Sequence, residues 1–139
     1  LARINSSESV AAILALLRSD EASLRTGALD TLRAMGGAIR EHLPGLLADA
    51  DSDVRVLSCE IARGLPGPEA THMLCDLLVR EHDVNVCGAA IDVLAEIGEA
   101  PALPVLAQCA ARFSATPFLV FAIKVATDRI AEQSTQRHG

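Results

Sequence analysis

The sequence repeats itself with a period of about 31 residues, and this repeat constrains the fold more than any other feature. The three copies begin at Leu24, Val54 and Val86. Within each copy, small or apolar residues recur every three or four positions. A glycine or proline then ends each copy, at Gly36, Pro66 and Gly98. This spacing places the apolar residues on one face of an α-helix.

The residues around each copy predict where its helix begins and ends. An acidic residue lies three positions before each copy, at Glu21, Asp51 and Asp83. Asp51 and Asp83 are expected to be N-caps, because a carboxylate accepts hydrogen bonds from the first free amides of a helix. Gly98 is expected to end its helix in the left-handed conformation that glycine tolerates.

A second amphipathic segment precedes each of these helices, and a final helix is expected from about Pro117 to Gln133. No run alternates apolar and polar residues as a strand would. The sequence therefore predicts an all-α fold, an α-solenoid of about four helical hairpins and about eight helices. A single domain is expected over 1–139, with repeats at about 6–36, 37–66, 67–98 and 99–133 and a tail at 134–139.

The copies resemble HEAT repeats, in the short bacterial form called PBS-lyase-like. Asp51 to Pro66 and Asp83 to Gly98 are similar to its pattern Asp-x-x-Val-Arg-x-x-Ala-Ala-x-Ala-Leu-Gly-x-Ile-Gly. The resemblance implies a ladder of aspartate–arginine pairs between neighbouring repeats, here Asp51 with Arg25 and Asp83 with Arg55. Cys87 replaces the third arginine, so the ladder is expected to end there.

The resemblance also implies that the second helix of each hairpin lines a concave surface. Asp30, Glu60 and Asp92 take equivalent positions on these helices and would form an acidic row, beside an apolar track that includes Val56 and Leu57. One interpretation is a groove for a basic amphipathic segment. The alternative is a solvated face, because Arg33 and Arg63 follow Asp30 and Glu60 by three residues and can pair with them.

The last helix carries an uninterrupted apolar run at 118–123 that includes Leu119, Val120 and Phe121. A helix buries only part of its circumference, so some of this run is expected at the surface, where apolar patches commonly form interfaces. A homodimer contact, a further repeat or a docked partner would each cover it. The alternative is that the chain end, from Glu132 onward, folds back as a cap.

Composition weighs against several functions. The formal net charge is −6 and Lys124 is the only lysine, which argues against nucleic acid as a partner. The longest uncharged runs are too short to span a membrane. We expect a cytoplasmic protein from a bacterium. The chain opens with Leu1, so a fragment of a longer protein is one interpretation.

Few residues offer catalytic or metal-binding chemistry. The four cysteines match no zinc or disulfide spacing and are expected to be reduced and buried: Cys59, Cys75, Cys87 and Cys109. No catalytic, metal or cofactor-binding residue is assigned, and no cofactor is expected. The sequence predicts a non-catalytic protein-interaction module. The alternatives are a component of a chromophore- or protein-modifying lyase and a structural fragment of a larger protein.

Overall fold

The structure, a computed structural model, describes residues 40–138 together with Ser23, Thr26, Gly27, Asp30 and Thr31. The described helices are α1 (Leu43–Leu46), α2 (Ser52–Ala62), α3 (Gly67–Arg80), α4 (Val84–Ile97), α5 (Ala102–Arg112) and α6 (Pro117–His138). Within these residues there is no strand. The all-α prediction therefore holds for the described part of the chain.

The six described helices correspond in position to the last six of the roughly eight that the sequence predicts. The first two predicted helices fall on repeat 6–36, which lies almost entirely outside the described residues. The five described residues before residue 40 are all helical, in the region of the predicted second helix. The predicted total of about eight is thus not matched by the six helices that the structure describes.

The chain divides into two compact units, residues 1–65 and residues 66–139. In the described part of the first unit, α1 packs on α2. Leu43 and Leu47 are buried there, as are Val54 and Ile61. The prediction of a single domain over 1–139 stays a prediction.

The second unit, which we call unit 2, has two layers of helices. Its hairpins are α3–α4 and α5–α6, and each pair is in contact. The first helices, α3 and α5, also pack on each other, and so do the second helices, α4 and α6. The buried core between the layers includes Leu74, Leu78, Ile91, Leu106 and Ile123. Stacking of first helix on first helix and of second helix on second helix is characteristic of an α-solenoid.

Aspartate side chains cap two of the helices at the positions that the sequence predicts. The Asp83 carboxylate accepts hydrogen bonds from the amides of Asn85, at 2.8 Å, and Val86, at 3.2 Å, at the start of α4. The Asp51 carboxylate accepts one from the amide of Asp53, at 2.9 Å, at the start of α2. Both N-cap predictions are confirmed. An N-cap is worth about 1 kcal/mol to its helix.

Gly98 ends α4, but for a different reason from the one expected. Its φ of −66° and ψ of 154° are extended backbone, so the prediction of a left-handed conformation is wrong. A Cβ at this position would collide with the carbonyl oxygen of Leu94 and lie 3.0 Å from Cδ1 of Ile130. Glycine is therefore required by the close approach of α6 and the last turn of α4, not by the backbone angle.

Two other helix ends differ from the sequence prediction. Helix α2 stops at Ala62, and Pro66 is the N-cap of α3 and does not directly end α2. Helix α6 continues to His138, beyond the end expected near Gln133, so the alternative in which the chain folds back as a cap from Glu132 onward does not hold for the described residues. No proline or glycine interrupts the chain between Pro117 and His138, and nothing local stops the helix.

Arg112 ties the end of α5 to the end of α3. Its guanidinium donates to the carbonyl oxygens of Leu78 and Glu81, each at 2.7 Å, and to that of Val79 at 3.5 Å. The last carbonyls of a helix lack partners within the helix, and a cation is favourable at that end. Arg112 thus caps α3 from the next hairpin, a role that sequence reasoning missed.

We expect Arg112→Ala to lower the free energy of unfolding by about 1–3 kcal/mol, because the carbonyls at the end of α3 lose a charged donor. Chemical denaturation monitored by circular dichroism measures this change. Arg129→Ala, which removes an exposed arginine from α6, is the matched control and should change stability little. Equal effects of the two substitutions would contradict the capping role.

A glycine-to-alanine substitution within α4 and one at its end should change the stability of the protein in opposite directions. At Gly88, within α4, a Cβ would make ordinary contacts, 3.5 Å from Cε2 of Phe118 and 3.8 Å from Cδ2 of Leu119. Gly88→Ala should therefore stabilise the protein by about 0.5–1 kcal/mol, because alanine favours the helix. Gly98→Ala should destabilise it by about 1–3 kcal/mol through overpacking. Thermal unfolding of both variants tests this, and shifts of the same sign would contradict it.

Candidate protein-binding surface

The apolar run at the start of α6 is divided between core and surface. Leu119, Ile123, Ala126 and Ile130 recur every three or four residues and are buried. Phe118, Val120 and Phe121 are 52%, 39% and 70% exposed. Part of the run therefore points outward, as expected. Leu119 is a correction: its side chain is fully buried in unit 2 and cannot belong to a surface that a partner touches.

The two exposed phenylalanines lie on the same side of α6. Residues three apart on a helix are neighbours, so Phe118 and Phe121 form one patch. Val120 is two residues from Phe118, about 200° around the helix, and lies on another side. The Phe118 side of α6 borders α4, because the Cβ position of Gly88 is 3.5 Å from the Phe118 ring.

Helix α4 contributes the neighbouring part of the same surface. Asp92 lies one turn after Gly88 and is exposed, and Glu96 is exposed one turn further on. Gly88 and Ala89 are half-buried. We name the region formed by Gly88, Ala89 and Asp92 of α4 with Phe118 and Phe121 of α6 the α4–α6 surface. It combines an aromatic patch, a section of helix with almost no side chain, and a carboxylate.

This surface places exposed aromatic rings beside a carboxylate, which are components of a protein-binding surface. Lys124 lies three residues after Phe121 on α6 and pairs with Asp128 of the same helix at 3.4 Å. Both side chains are exposed, so the pair contributes little to stability. What the surface offers is apolar area beside negative charge.

Other residues of the predicted acidic row have separate environments. Glu60 is half-buried and accepts two hydrogen bonds from Arg63, at 2.9 and 3.1 Å. The same-helix pair predicted for these residues is present. Asp30 is exposed, and its predicted partner Arg33 lies outside the described residues. Val56 and Leu57, expected in an open apolar track, are half-buried.

The predicted ladder between repeats stays a prediction. Arg25 lies outside the described residues. The guanidinium of Arg55 donates to the carbonyl oxygens of Asp49, at 2.7 Å, and Ala50, at 3.3 Å, in the loop before its own helix. Asp51 and Asp83 act as N-caps. Arg55 therefore has a local structural role that the sequence did not reveal.

A concave region lies on α3 and the α4–α5 loop, with a volume of about 320 Å³. His72, Cys75 and Asp76 of α3 line it, and His72 Nε2 lies 3.6 Å from Asp76 Oδ2. Sequence reasoning missed this groove, although the spacing of His72 and Asp76 indicates that they share a helix face. A cysteine beside a histidine and an aspartate has the composition of a thiol nucleophile site.

The thiol chemistry argues against that role. Burial, together with the nearby charge of Asp76, raises the pKa of the Cys75 thiol to about 11. Burial also raises the pKa of Cys87 to about 11 and that of Cys109, although Arg112 opposes both shifts. An activated nucleophile needs a lowered pKa. None of the four cysteines is in a disulfide, and three are buried as expected, whereas Cys75 is half-buried.

We expect Cys75 to react slowly with iodoacetamide in the folded protein. At pH 8, a thiol with a pKa of about 11 carries about a hundredfold less thiolate than one at the ordinary value of 9.0. The alkylation rate should therefore stay low near neutral pH and rise steeply toward pH 11. Peptide-level mass spectrometry measures it, with urea-unfolded protein as the control. Fast alkylation of folded protein at pH 7 would contradict the assignment.

Two other kinds of feature are absent from the part of the chain that the structure describes. No group of three or more metal-ligating side chains could hold a metal ion among these residues. None of the described helices is long and apolar enough to cross a membrane.

The layered hairpins of unit 2 and the repeated helix pattern are typical of α-solenoid proteins. A family model described as HEAT repeats matches residues 39–116, more than half of the chain, and the chain belongs to this family. Comparison with curated proteins and with solved structures gave no match. HEAT repeats commonly act as protein-interaction scaffolds and are generally not enzymes. The PBS-lyase-like subtype stays a prediction.

Proposed function

We propose that this HEAT-repeat chain is a non-catalytic interaction module that binds a helical segment of another protein on the α4–α6 surface. The observation that carries the proposal is the pair of exposed phenylalanines, Phe118 and Phe121, on a helix whose remaining stripe is buried in unit 2. Large aromatic side chains supply much of the energy of protein interfaces. Their exposure to water is unfavourable, and a partner that covers them would bury this apolar area.

The charge beside the patch favours a basic partner. Asp92 and Glu96 are exposed on α4, next to the edge that meets Phe118. A helix with apolar residues every three or four positions and lysines or arginines flanking them would match both features. The carboxylates would steer such a segment toward the surface and fix its orientation, and the aromatic rings would supply most of the affinity.

The same charge argues against a second copy of the chain as the occupant. Each copy has a formal net charge of −6, so pairing two identical surfaces would bring like charges together. A homodimer through α6 would also place Asp92 and Glu96 of both copies at one interface. We therefore favour a different protein over a homodimer, with neither nucleic acid nor a membrane as the partner.

The remaining predicted site residues stay outside this proposal. Asp30, Glu60, Val56 and Leu57 belong to the first unit, and their part in a longer acidic groove is a separate prediction. Val120 is exposed on another side of α6. The lyase-component and structural-fragment interpretations also stay predictions, as do a bacterial source and a cytoplasmic location.

Affinity capture from native lysate, quantified by mass spectrometry, tests the proposal. We expect wild type to retain one specific protein, and Phe121→Ser to reduce its affinity at least about tenfold by removing an aromatic anchor. Asp92→Lys should slow association and weaken its dependence on salt. Surface plasmon resonance with the purified partner gives both quantities.

Two variants on α3 serve as matched controls. Val79→Ser removes another exposed apolar side chain, and Asp76→Lys reverses another exposed carboxylate. Neither should change binding, and circular dichroism confirms that every variant is folded. Loss of the partner with Val79→Ser but not with Phe121→Ser would move the binding surface to α3. Equal retention by all variants would rule out the α4–α6 surface.

A further inference from the structure

The loops before α2 and α4 share one hydrogen-bond arrangement. In the loop before α2, the Asp49 carboxylate accepts from the amide of Asp51, two residues later, at 2.8 Å. In the loop before α4, the Glu81 carboxylate accepts from the amide of Asp83, also two residues later, at 3.1 Å. Asp51 and Asp83 then cap the helices that follow. Asp49 and Glu81 therefore take equivalent positions in successive repeats.

An arginine donates to the backbone carbonyl of each of these two residues. In the first loop the donor is Arg55 of α2 itself, whose guanidinium lies 2.7 Å from the carbonyl oxygen of Asp49. The equivalent residue of α4 is Cys87, whose Sγ lies 3.8 Å from the carbonyl oxygen of Glu81. A thiol is a weak donor. The short hydrogen bond to the Glu81 carbonyl comes instead from Arg112 of α5, at 2.7 Å.

The replacement moves this contact from within one repeat to the boundary between two hairpins. Arg55 joins α2 to the loop that directly precedes it, whereas Arg112 joins α5 to the loop between α3 and α4. The guanidinium of Arg112 also donates to the carbonyl oxygen of Leu78 near the end of α3, at 2.7 Å. Hydrogen bonds from a charged donor are roughly twice as strong as neutral ones. Arg112 therefore strengthens the contact between the α3–α4 and α5–α6 hairpins in particular.

We infer that Arg112 is a latch between the α3–α4 and α5–α6 hairpins, and that these hairpins separate as units when it is released. In a repeat protein each repeat contacts only its neighbours, and cooperative units of this size can open without global unfolding. Because α6 belongs to the hairpin that moves, opening would separate it from α4 and take apart the α4–α6 surface. The latch acts in the free protein, so the inference does not depend on whether this surface binds a partner.

Two buried cysteines on opposite sides of this boundary can report the opening. Cys87 of α4 and Cys109 of α5 are 0% and 1% exposed. They also lie near each other, since burial raises the pKa of the Cys87 thiol to about 11 and the charge of Cys109 contributes to the increase. Separation of the hairpins would expose both thiols to a reagent. Cys59 of α2 is equally buried but belongs to neither hairpin, so it serves as the internal control.

The test is alkylation by iodoacetamide at about pH 8 without denaturant. Mass spectrometry follows after cleavage at glutamate, which separates Cys87 from Cys109. We expect Arg112→Ala to increase the alkylation rates of both thiols about ten- to a hundredfold, because the loss of a charged hydrogen bond raises the open population by that factor. The rate at Cys59 should not change. Arg112→Lys keeps the charge but not the planar fork of donors and should give an intermediate increase.

Arg55→Ala is the matched control, because it removes the equivalent hydrogen bond within a repeat and should leave the rates at Cys87 and Cys109 unchanged. Faster alkylation of Cys87 and Cys109 alone, rising from wild type through Arg112→Lys to Arg112→Ala, supports the latch. Wild-type rates in both Arg112 variants overturn it. Equal acceleration at Cys59 also overturns it, because the loss of Arg112 would then lower global stability and not open one boundary.

Discussion

The burial of α4 between α3 and α6 is the interaction on which unit 2 depends. Half of its fourteen residues are buried, and most of these are aliphatic. Because α4 contacts both its hairpin partner and the second helix of the next hairpin, it joins two hairpins that could not bury their apolar faces separately. The caps at its ends, Asp83 and the tightly packed Gly98, fix its length and therefore the position of every residue that it presents to solvent.

The binding surface follows from that packing. Since α6 lies against α4, its buried stripe of Leu119 and Ile123 sets the rotation of the helix, and the rotation leaves Phe118 and Phe121 outside. The neighbouring part of α4 bears Gly88 and Asp92, so backbone, aromatic ring and carboxylate lie on one face. Such a surface has the components of a helix-binding groove, with apolar area for affinity and charge for orientation. The raised pKa of Cys75 argues against a thiol nucleophile near neutral pH in the groove that Cys75 lines with His72 and Asp76.

Periodicity was enough to predict the described helices and two of their N-caps, because apolar spacing and aspartate capping are local effects. Features that depend on contacts between helices could not be read from one sequence. The capping of α3 by Arg112 joins residues more than thirty positions apart, and the steric need for Gly98 arises partly from Ile130 on α6. Leu119 and Phe121 share one apolar run, and only the packing of α6 decides that the first is buried and the second exposed.

The contact between Gly88 and Phe118 joins α4 to α6 within the α4–α6 surface. Nuclear magnetic resonance can observe this contact directly. The structure predicts a nuclear Overhauser effect between the Hα protons of Gly88 and the ring protons of Phe118, because the Cβ position of Gly88 lies 3.5 Å from the ring. Observing this effect in the free protein would support both the stacking of α4 on α6 and the α4–α6 surface. Its absence, with the Phe118 ring showing contacts only to residues outside α4, would contradict the packing and the surface built on it.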